Sequence, residues 1–184
     1  MPEDPSDEEL VLRLRRGELA AFDGLYDRYE RRLFAYLRRF AGDRAVAEDL
    51  FQDVLLAVLC DRNFDPARGR FAPWVFTVAR NRGRMHQRQQ QVRAAATAAG
   101  AGEPSGPPPA TDPETTTARI RSVREAMAGL PEGQQDLLVL KQVGELSYRE
   151  IAELQGEHEG TIKSRLHAAM KAFRQRLEEI GEIG

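Results

Sequence analysis

The chain has 184 residues, 41% hydrophobic and 30% charged, and 27 Lys and Arg against 29 Asp and Glu leave a formal charge of −2. This balance excludes wholesale disorder and a net charge large enough to dictate a nucleic-acid or membrane partner. With Cys60 as the only cysteine, it also excludes an intrachain disulfide and a multi-cysteine zinc site, and it fits a reducing compartment. The start, Met1-Pro2-Glu3-Asp4, is acidic without an apolar h-region, and no apolar run of about 18 residues occurs. No signal peptide and no membrane insertion are expected, and the cytoplasm is the expected compartment.

In chain order, Ser6 and Glu9 form a capping box ahead of Leu10, Val11 and Leu14, and Gly17 breaks that short helix. Phe22, Leu25, Tyr26, Tyr29, Leu33, Leu37 and Phe40 recur at three- and four-residue steps, which predicts a helix from about Leu19 to Ala41. Gly42-Asp43 ends it and caps a third helix, Arg44 to Cys60. There Ala47, Leu50, Phe51, Val54 and Val58 face inward, and Glu48, Asp49, Gln52 and Asp53 form a polar face. Asp61 to Arg70, with Asn63, Pro66 and Gly69, reads as a loop, and Pro73 sits in the first turn of a fourth helix to about Gln89. Trp74, Val75, Val78 and Ala79 supply the core side of that helix.

From Val92 to Thr117 the composition shifts to Ala, Gly, Pro and Thr, including Pro107-Pro108-Pro109, as in a flexible linker. The expected organisation is therefore all-α, with small helical domains at 1–91 and 118–184 joined by a linker at 92–117. In the second domain Ile120, Val123 and Met127 mark a helix, and Pro131 opens another carrying Leu137, Leu138, Leu140 and Val143. Ser147 and Glu150 make a second capping box for a short helix, which Gly156 to Gly160 turns into a final one holding Ile162, Leu166, Met170, Phe173 and Leu177. This pair describes a helix-turn-helix whose second helix is basic.

The charge is unevenly distributed. Between Asp65 and Glu103 lie seven arginines and no acid, and between Glu159 and Glu178 lie five Lys or Arg plus His167, again without an acid. On the last helix Lys163, Ser164 and His167 are placed to meet base edges, and Arg165, Lys171 and Arg174 to meet phosphates, although a solvated basic face would carry the same residues. Arg80 to Arg93 follow Phe71, Trp74 and Phe76, a combination that suits single-stranded nucleic acid, whereas core packing also explains the aromatics. Glu48, Asp49 and Asp53 could approach a divalent cation, but no histidine lies near them and no metal site is expected. Nor does the chain carry a Gly-rich phosphate loop, a Ser/His/Asp set or a Cys/His pair. No catalytic residue, no cofactor and no enzymatic activity are expected.

Five stretches in order carry a resemblance: Val46-Ala47-Glu48-Asp49-Leu50-Phe51-Gln52-Asp53-Val54-Leu55, Trp74 to Asn81, Leu130 to Leu140, Leu146 to Ala152, and Gly160-Thr161-Ile162-Lys163-Ser164-Arg165-Leu166-His167. They resemble the motifs of the extracytoplasmic-function, or group IV, sigma factors of bacterial RNA polymerase, within the sigma-70 family. The resemblance implies a region 2 domain that binds core polymerase and recognises and melts the −10 element, and a region 4 helix-turn-helix that recognises the −35 element. It implies docking on the β′ and β subunits, with Glu48, Asp49, Gln52 and Asp53 toward the β′ clamp coiled coil. Asn63, Arg70, Trp74, Arg80 and Asn81 would meet −10 DNA, and Thr161, Lys163, Ser164, Arg165, His167, Lys171 and Arg174 would meet −35 DNA. Promoter DNA and an anti-sigma factor are the further partners it implies. Val46, Met85 and Ala168 depart from the family pattern, as does the turn Glu157-His158-Glu159, which puts two acids near the DNA-facing end. A stand-alone helix-turn-helix regulator would need dimerisation but not the acidic face, and an interaction adaptor would need neither basic tract.

Overall fold

The computed structural model describes residues 4–60, 64–98 and 114–181. Among them the chain forms eight α-helices and no strand, in two compact units, Met1–Pro108 and Pro109–Gly184. The all-helical expectation holds.

In the first unit, α1 (Asp7–Arg15) begins with the capping box: the Glu9 N–H donates to Ser6 Oγ at 3.2 Å and the Ser6 N–H to Glu9 Oε2 at 2.8 Å. Leu10 and Val11 are buried against α2 (Ala20–Leu37), where Gly24 makes room: a Cβ there would stand 3.2 Å from Leu10 Cδ1. Polar bonds lock the same pair, since Arg28 of α2 donates to Asp7 at 2.6 Å, Asp4 at 2.7 Å and the Pro5 carbonyl at 2.8 Å. The Asp7 hydrogen bond, the largest cause, raises the Arg28 pKa above its ordinary value.

Leu25, Tyr29, Leu33, Tyr36 and Leu37 carry the buried stripe of α2. The helix stops short of Ala41 because its end tightens into i→i−3 bonds, Arg39 to Tyr36 at 3.3 Å and Phe40 to Leu37 at 2.9 Å. Asp43 then caps α3 (Arg44–Cys60), its Oδ1 accepting the Val46 N–H at 2.9 Å. Ala47, Leu50, Phe51 and Val54 point into the core as expected, while Val58 is only half-buried.

The fourth helix, α4 (Phe71–Ala98), runs nine residues beyond the Gln89 at which the apolar pattern suggests an end. Residues 92–98, expected in the linker, are thus helical, although none of residues 84–96 is buried. Its packed half meets α2 through aromatic edges, Tyr36 lying 5.4 Å from both Phe76 and Phe40. Residues 99–113 of the expected linker lie outside the described residues, and residues 114–117 of it already belong to the next helix.

The second unit contains α5 (Glu114–Ala128), α6 (Glu132–Gln142), α7 (Tyr148–Gln155) and α8 (Glu159–Ile180). Leu137, Leu140, Leu146, Ile151 and Ile162 are fully buried and knit α6, α7 and α8 together. Ile120 and Val123 differ from expectation. They are 42% and 40% exposed, and Ala126 is the fully buried residue among those described in α5. A small side chain there lets α5 pack closely, and the branched residues fall toward solvent.

Candidate functional site

Helix α3 presents the first surface. Glu48, Asp49, Gln52 and Asp53 are all exposed, and their i, i+1, i+4, i+5 spacing gathers them on one face, as the sequence suggests. Arg44 donates to Glu48 at 2.7 Å, an exposed i,i+4 pair that leaves three of the four polar residues outside it. Leu56 and Leu59, which the sequence reading passed over, are 56% and 46% exposed and continue the same face toward the C-terminus. The signal for them is their helical register with Asp49 and Gln52. An acidic patch with an apolar tail suits a protein partner carrying cations around an apolar centre.

The second surface is the junction into α4. Asn63 lies outside the described residues. The rest of the junction is built by Asp65, whose carbonyl accepts the Arg68 and Gly69 N–H groups at 3.0 and 3.1 Å and whose Oδ1 accepts the Ala67 N–H at 3.0 Å. Arg68 folds back onto Asp65 at 3.4 Å. Phe64 plugs the junction into the core, 5.2 Å from Trp74 and 5.8 Å from Phe71. Sequence reasoning missed it, although it is the lone large apolar residue of an otherwise polar loop. Trp74 is half-buried, so part of its ring is supported by Phe64 and Phe71 and part remains open.

Arg70 and Asn81 are exposed, and seven positions place Trp74 and Asn81 on one stripe of α4. Arg80 does not share that stripe. It is half-buried and rotated by about 100° from Asn81 around the helix. Arg84 and Arg88 extend the exposed basic side along the solvated half of α4. Supported aromatic surface, amide donors and cations, on a helix whose own sequence carries no acid, make a surface able to stack a base and neutralise its phosphates.

The third surface is the helix-turn-helix. The second capping box is present, with the Glu150 N–H on Ser147 Oγ at 3.2 Å and the Ser147 N–H on Glu150 Oε2 at 2.8 Å. Gly156, at φ 67°, takes the left-handed conformation that ends α7, and the Glu157 N–H reaches back to the Ala152 carbonyl at 3.0 Å. The chain then re-enters helix at Glu159, after a three-residue turn. Ile162, Leu166 and Ala169 bury one side of α8; Met170, expected inside, is half-buried.

Thr161, Lys163, Ser164, His167, Lys171 and Arg174 are exposed on α8, with Ser164 Oγ donating to the Thr161 carbonyl at 2.9 Å. Lys163 is held from two sides: its Nζ lies 2.8 Å from Glu159 Oε1 and 5.6 Å from the centre of the Tyr148 ring. The Glu159 hydrogen bond, followed by its charge, raises the Lys163 pKa. Arg165 departs from the phosphate-facing expectation. It is half-buried, and its guanidinium donates across the turn to Glu157 and, at 3.5 Å, to Gln155 Oε1. The physical reason is the turn itself, which brings Glu157 beside the inner edge of α8.

Among the described residues no helix is long and apolar enough to cross a membrane, and no group of three or more His, Cys, Asp or Glu could hold a metal ion.

Comparison with known proteins places most of both units in known families. Residues 25–93 match the Sigma-70 region 2 family and residues 120–173 the Sigma-70, region 4 family. The RNA polymerase sigma factor CarQ of Myxococcus xanthus is 32% identical over 172 residues, 91% of this chain and 95% of CarQ. The ECF RNA polymerase sigma factor RpoE of Cereibacter sphaeroides is 33% identical over 162 residues, covering 86% and 87% of the two chains. In fold, the chain is similar to CnrH, solved in complex with the cytosolic domain of CnrY, with a TM-score of 0.69 at 23% identity over 95% of this chain and 99% of that one. It is also similar to an RpoE of Bartonella quintana solved with the anti-sigma factor NepR, with a TM-score of 0.59 at 24% identity over 90% and 98% of the two chains.

Proposed function

We propose, for a chain that belongs to the extracytoplasmic-function sigma factors of the sigma-70 family, that it binds core RNA polymerase, directs it to promoters by recognising −35 and −10 elements, and helps to melt the −10 region. In this reading polymerase performs the chemistry in the cytoplasm, and the chain contributes binding energy and specificity. The first unit acts as region 2 and the second as region 4, and the stretch between α4 and α5 connects them.

The observation that carries the reading is the order and separation of the surfaces: an acidic α3 face and a basic, aromatic α4 face in one unit, and a basic helix-turn-helix face in the other. A stand-alone DNA-binding protein has no use for Glu48, Asp49, Gln52 and Asp53. In a polymerase subunit they meet the β′ clamp, and Leu56 and Leu59 extend that contact. Asn63 and Arg70 receive an unstacked base, Trp74 and Asn81 line its path, and Arg80 supports the backbone side. Extruding a base costs a few kcal/mol, which contacts available only to the melted strand offset. On α8 Thr161, Lys163, Ser164 and His167 lie at the end that enters a major groove, with Lys171 and Arg174 toward phosphates. Arg165 braces the turn. An anti-sigma factor covering one of these surfaces is the regulatory partner; the similar Bartonella RpoE was solved in complex with an anti-sigma factor.

The test is reconstitution. Core polymerase should be retained by the immobilised chain and should gain specific run-off transcription from a promoter selected with the resulting holoenzyme. DNA binding with no retention of core would reassign the chain to stand-alone regulation.

A further inference from the structure

The turn that leads into α8 carries two acids, and the structure gives them different employment. Glu157 is exposed but engaged within the chain, accepting from the Arg165 guanidinium, which also donates to Gln155. Glu159 is exposed at the first position of α8, four residues before Lys163, with Oε1 2.8 Å from Nζ. An acid at the leading end of a groove-entering helix repels phosphates, so its place there is favourable to DNA only if it finds a hydrogen-bond donor. In the major groove those donors are the exocyclic amines of cytosine and adenine.

We infer that Glu159 and Lys163 act together as a reader of one G·C pair in the −35 element. The pair offers a donor and an acceptor side by side, held at hydrogen-bond distance from each other. A G·C pair offers the complement: guanine O6 and cytosine N4 stand a hydrogen bond apart in the Watson–Crick pair, about 2.9 Å, and each keeps one free site facing the major groove. Lys163 donates to guanine O6 and N7, and Glu159 accepts the second N4–H of cytosine. A T·A pair presents acceptor and donor in the same order, but puts a methyl group where guanine has N7, and so loses the second lysine bond. The reversed pairs set Lys163 against an amine and Glu159 against a carbonyl oxygen.

Two features of the site favour this use over a loose surface ion pair. Tyr148, at the first position of α7, holds the Lys163 ammonium from the other side at 5.6 Å. The Tyr148 ring also takes Lys141 at 4.9 Å, and the Lys141 Nζ is anchored on the Leu146 carbonyl at 3.1 Å. The reader is therefore fixed by α6 and α7 before DNA arrives, and the neighbouring lysines lower the cost of bringing a carboxylate to the groove. The inference rests on α8 being the −35 recognition helix.

The experiment uses full-length protein in holoenzyme with a duplex library randomised across the −35 region, selected by binding and sequenced. Wild type should show one position at which G·C exceeds every other pair by about tenfold or more. Glu159→Ala and Lys163→Ala should each relax preference at that same position to within about twofold, and the double variant should relax it no further. Glu159→Gln, which keeps an acceptor and the length, should retain more of the preference than Glu159→Ala. An unchanged preference profile for Glu159→Ala, or relaxation at different positions in the two variants, would overturn the inference. Failure of the underlying reading looks different: Lys171→Ala and Arg174→Ala would then leave binding of the whole library unaltered.

Discussion

The carboxylate of Glu8 accepts the backbone N–H of Phe71 at 2.8 Å, so the first residue of α4 is capped by a side chain of α1 from 63 positions away. Arg15, at the other end of α1, donates to the Phe64 carbonyl. The N-terminal helix therefore grips both ends of the segment that leads into α4, and the proposed −10 surface depends on a helix outside that surface.

Glu8→Ala should lower the unfolding free energy of the first unit by about 1 kcal/mol, the usual worth of a helix cap. Urea denaturation followed by circular dichroism measures it. A midpoint equal to that of the wild type would mean the bond contributes nothing in solution.

Gly83 should resist replacement. An alanine in mid-helix ordinarily gains about 1 kcal/mol over glycine, but a Cβ at position 83 would come within 2.9 Å of Phe40 Cδ1 and nearer still to Cγ and Cδ2. Overpacking of this kind costs about 1–3 kcal/mol, so Gly83→Ala is expected to destabilise the first unit. Phe40→Leu in the same chain should restore part of the loss. A more stable Gly83→Ala protein would disprove the close approach.

These two contacts mark where the sequence stops being legible. Capping boxes at Ser6/Glu9 and Ser147/Glu150 and the Asp43 cap are local, and their residues announce them at fixed spacing. The stripe of α2 and the acidic face of α3 follow equally from helical periodicity. Glu8 on Phe71 and Phe40 on Gly83 join residues whose separation obeys no period. Residues 84–96 of α4 offer no buried face from which to read an extent, and α5 buries Ala126 instead of the larger Ile120 and Val123. Arg165 was legible as a cation but not as a brace, because only the turn at Gly156 brings Glu157 to it.

Arg165 and Arg174 should therefore separate in a salt titration. Arg174→Ala should weaken holoenzyme binding to all −35 sequences alike and reduce the slope of log K against log salt by about 0.9, the share of one phosphate contact. Arg165→Ala should leave the slope nearer its original value and instead lower the melting temperature of the second unit, since it frees Glu157 and Gln155. Equal slope changes in the two variants would return Arg165 to the phosphates.

Asp49→Lys with Asp53→Lys should reduce retention of core polymerase at least tenfold. Helix content should hold, because exposed substitutions usually cost less than about 0.5 kcal/mol each. Leu56→Ser should weaken retention further if the apolar tail of the face belongs to the contact, as its 56% exposure allows. Unaltered retention by the charge-reversed protein would remove the acidic face from the polymerase interface.

The junction into α4 gives the last prediction. Arg70 is exposed four residues before the half-buried Trp74, and Asp65 holds Arg68 at 3.4 Å. A connector between helices needs the Asp65 turn and the buried Phe64, and both remain when Arg70 is removed. A base-receiving surface needs what Asn63 and Arg70 add, hydrogen-bonding groups and a positive charge. Alanine at both positions should leave closed-complex binding nearly intact and reduce open complex several-fold, because the unstacking cost falls only on the melted state. A promoter already mismatched at −10 removes that cost in advance, so on such a template the double variant should recover part of its deficit. Permanganate reactivity of unpaired thymines reports both states. Melting equal to wild type on the duplex template would leave the segment a connector. A deficit that persists undiminished on the mismatched template would place the lost contacts in the closed complex instead.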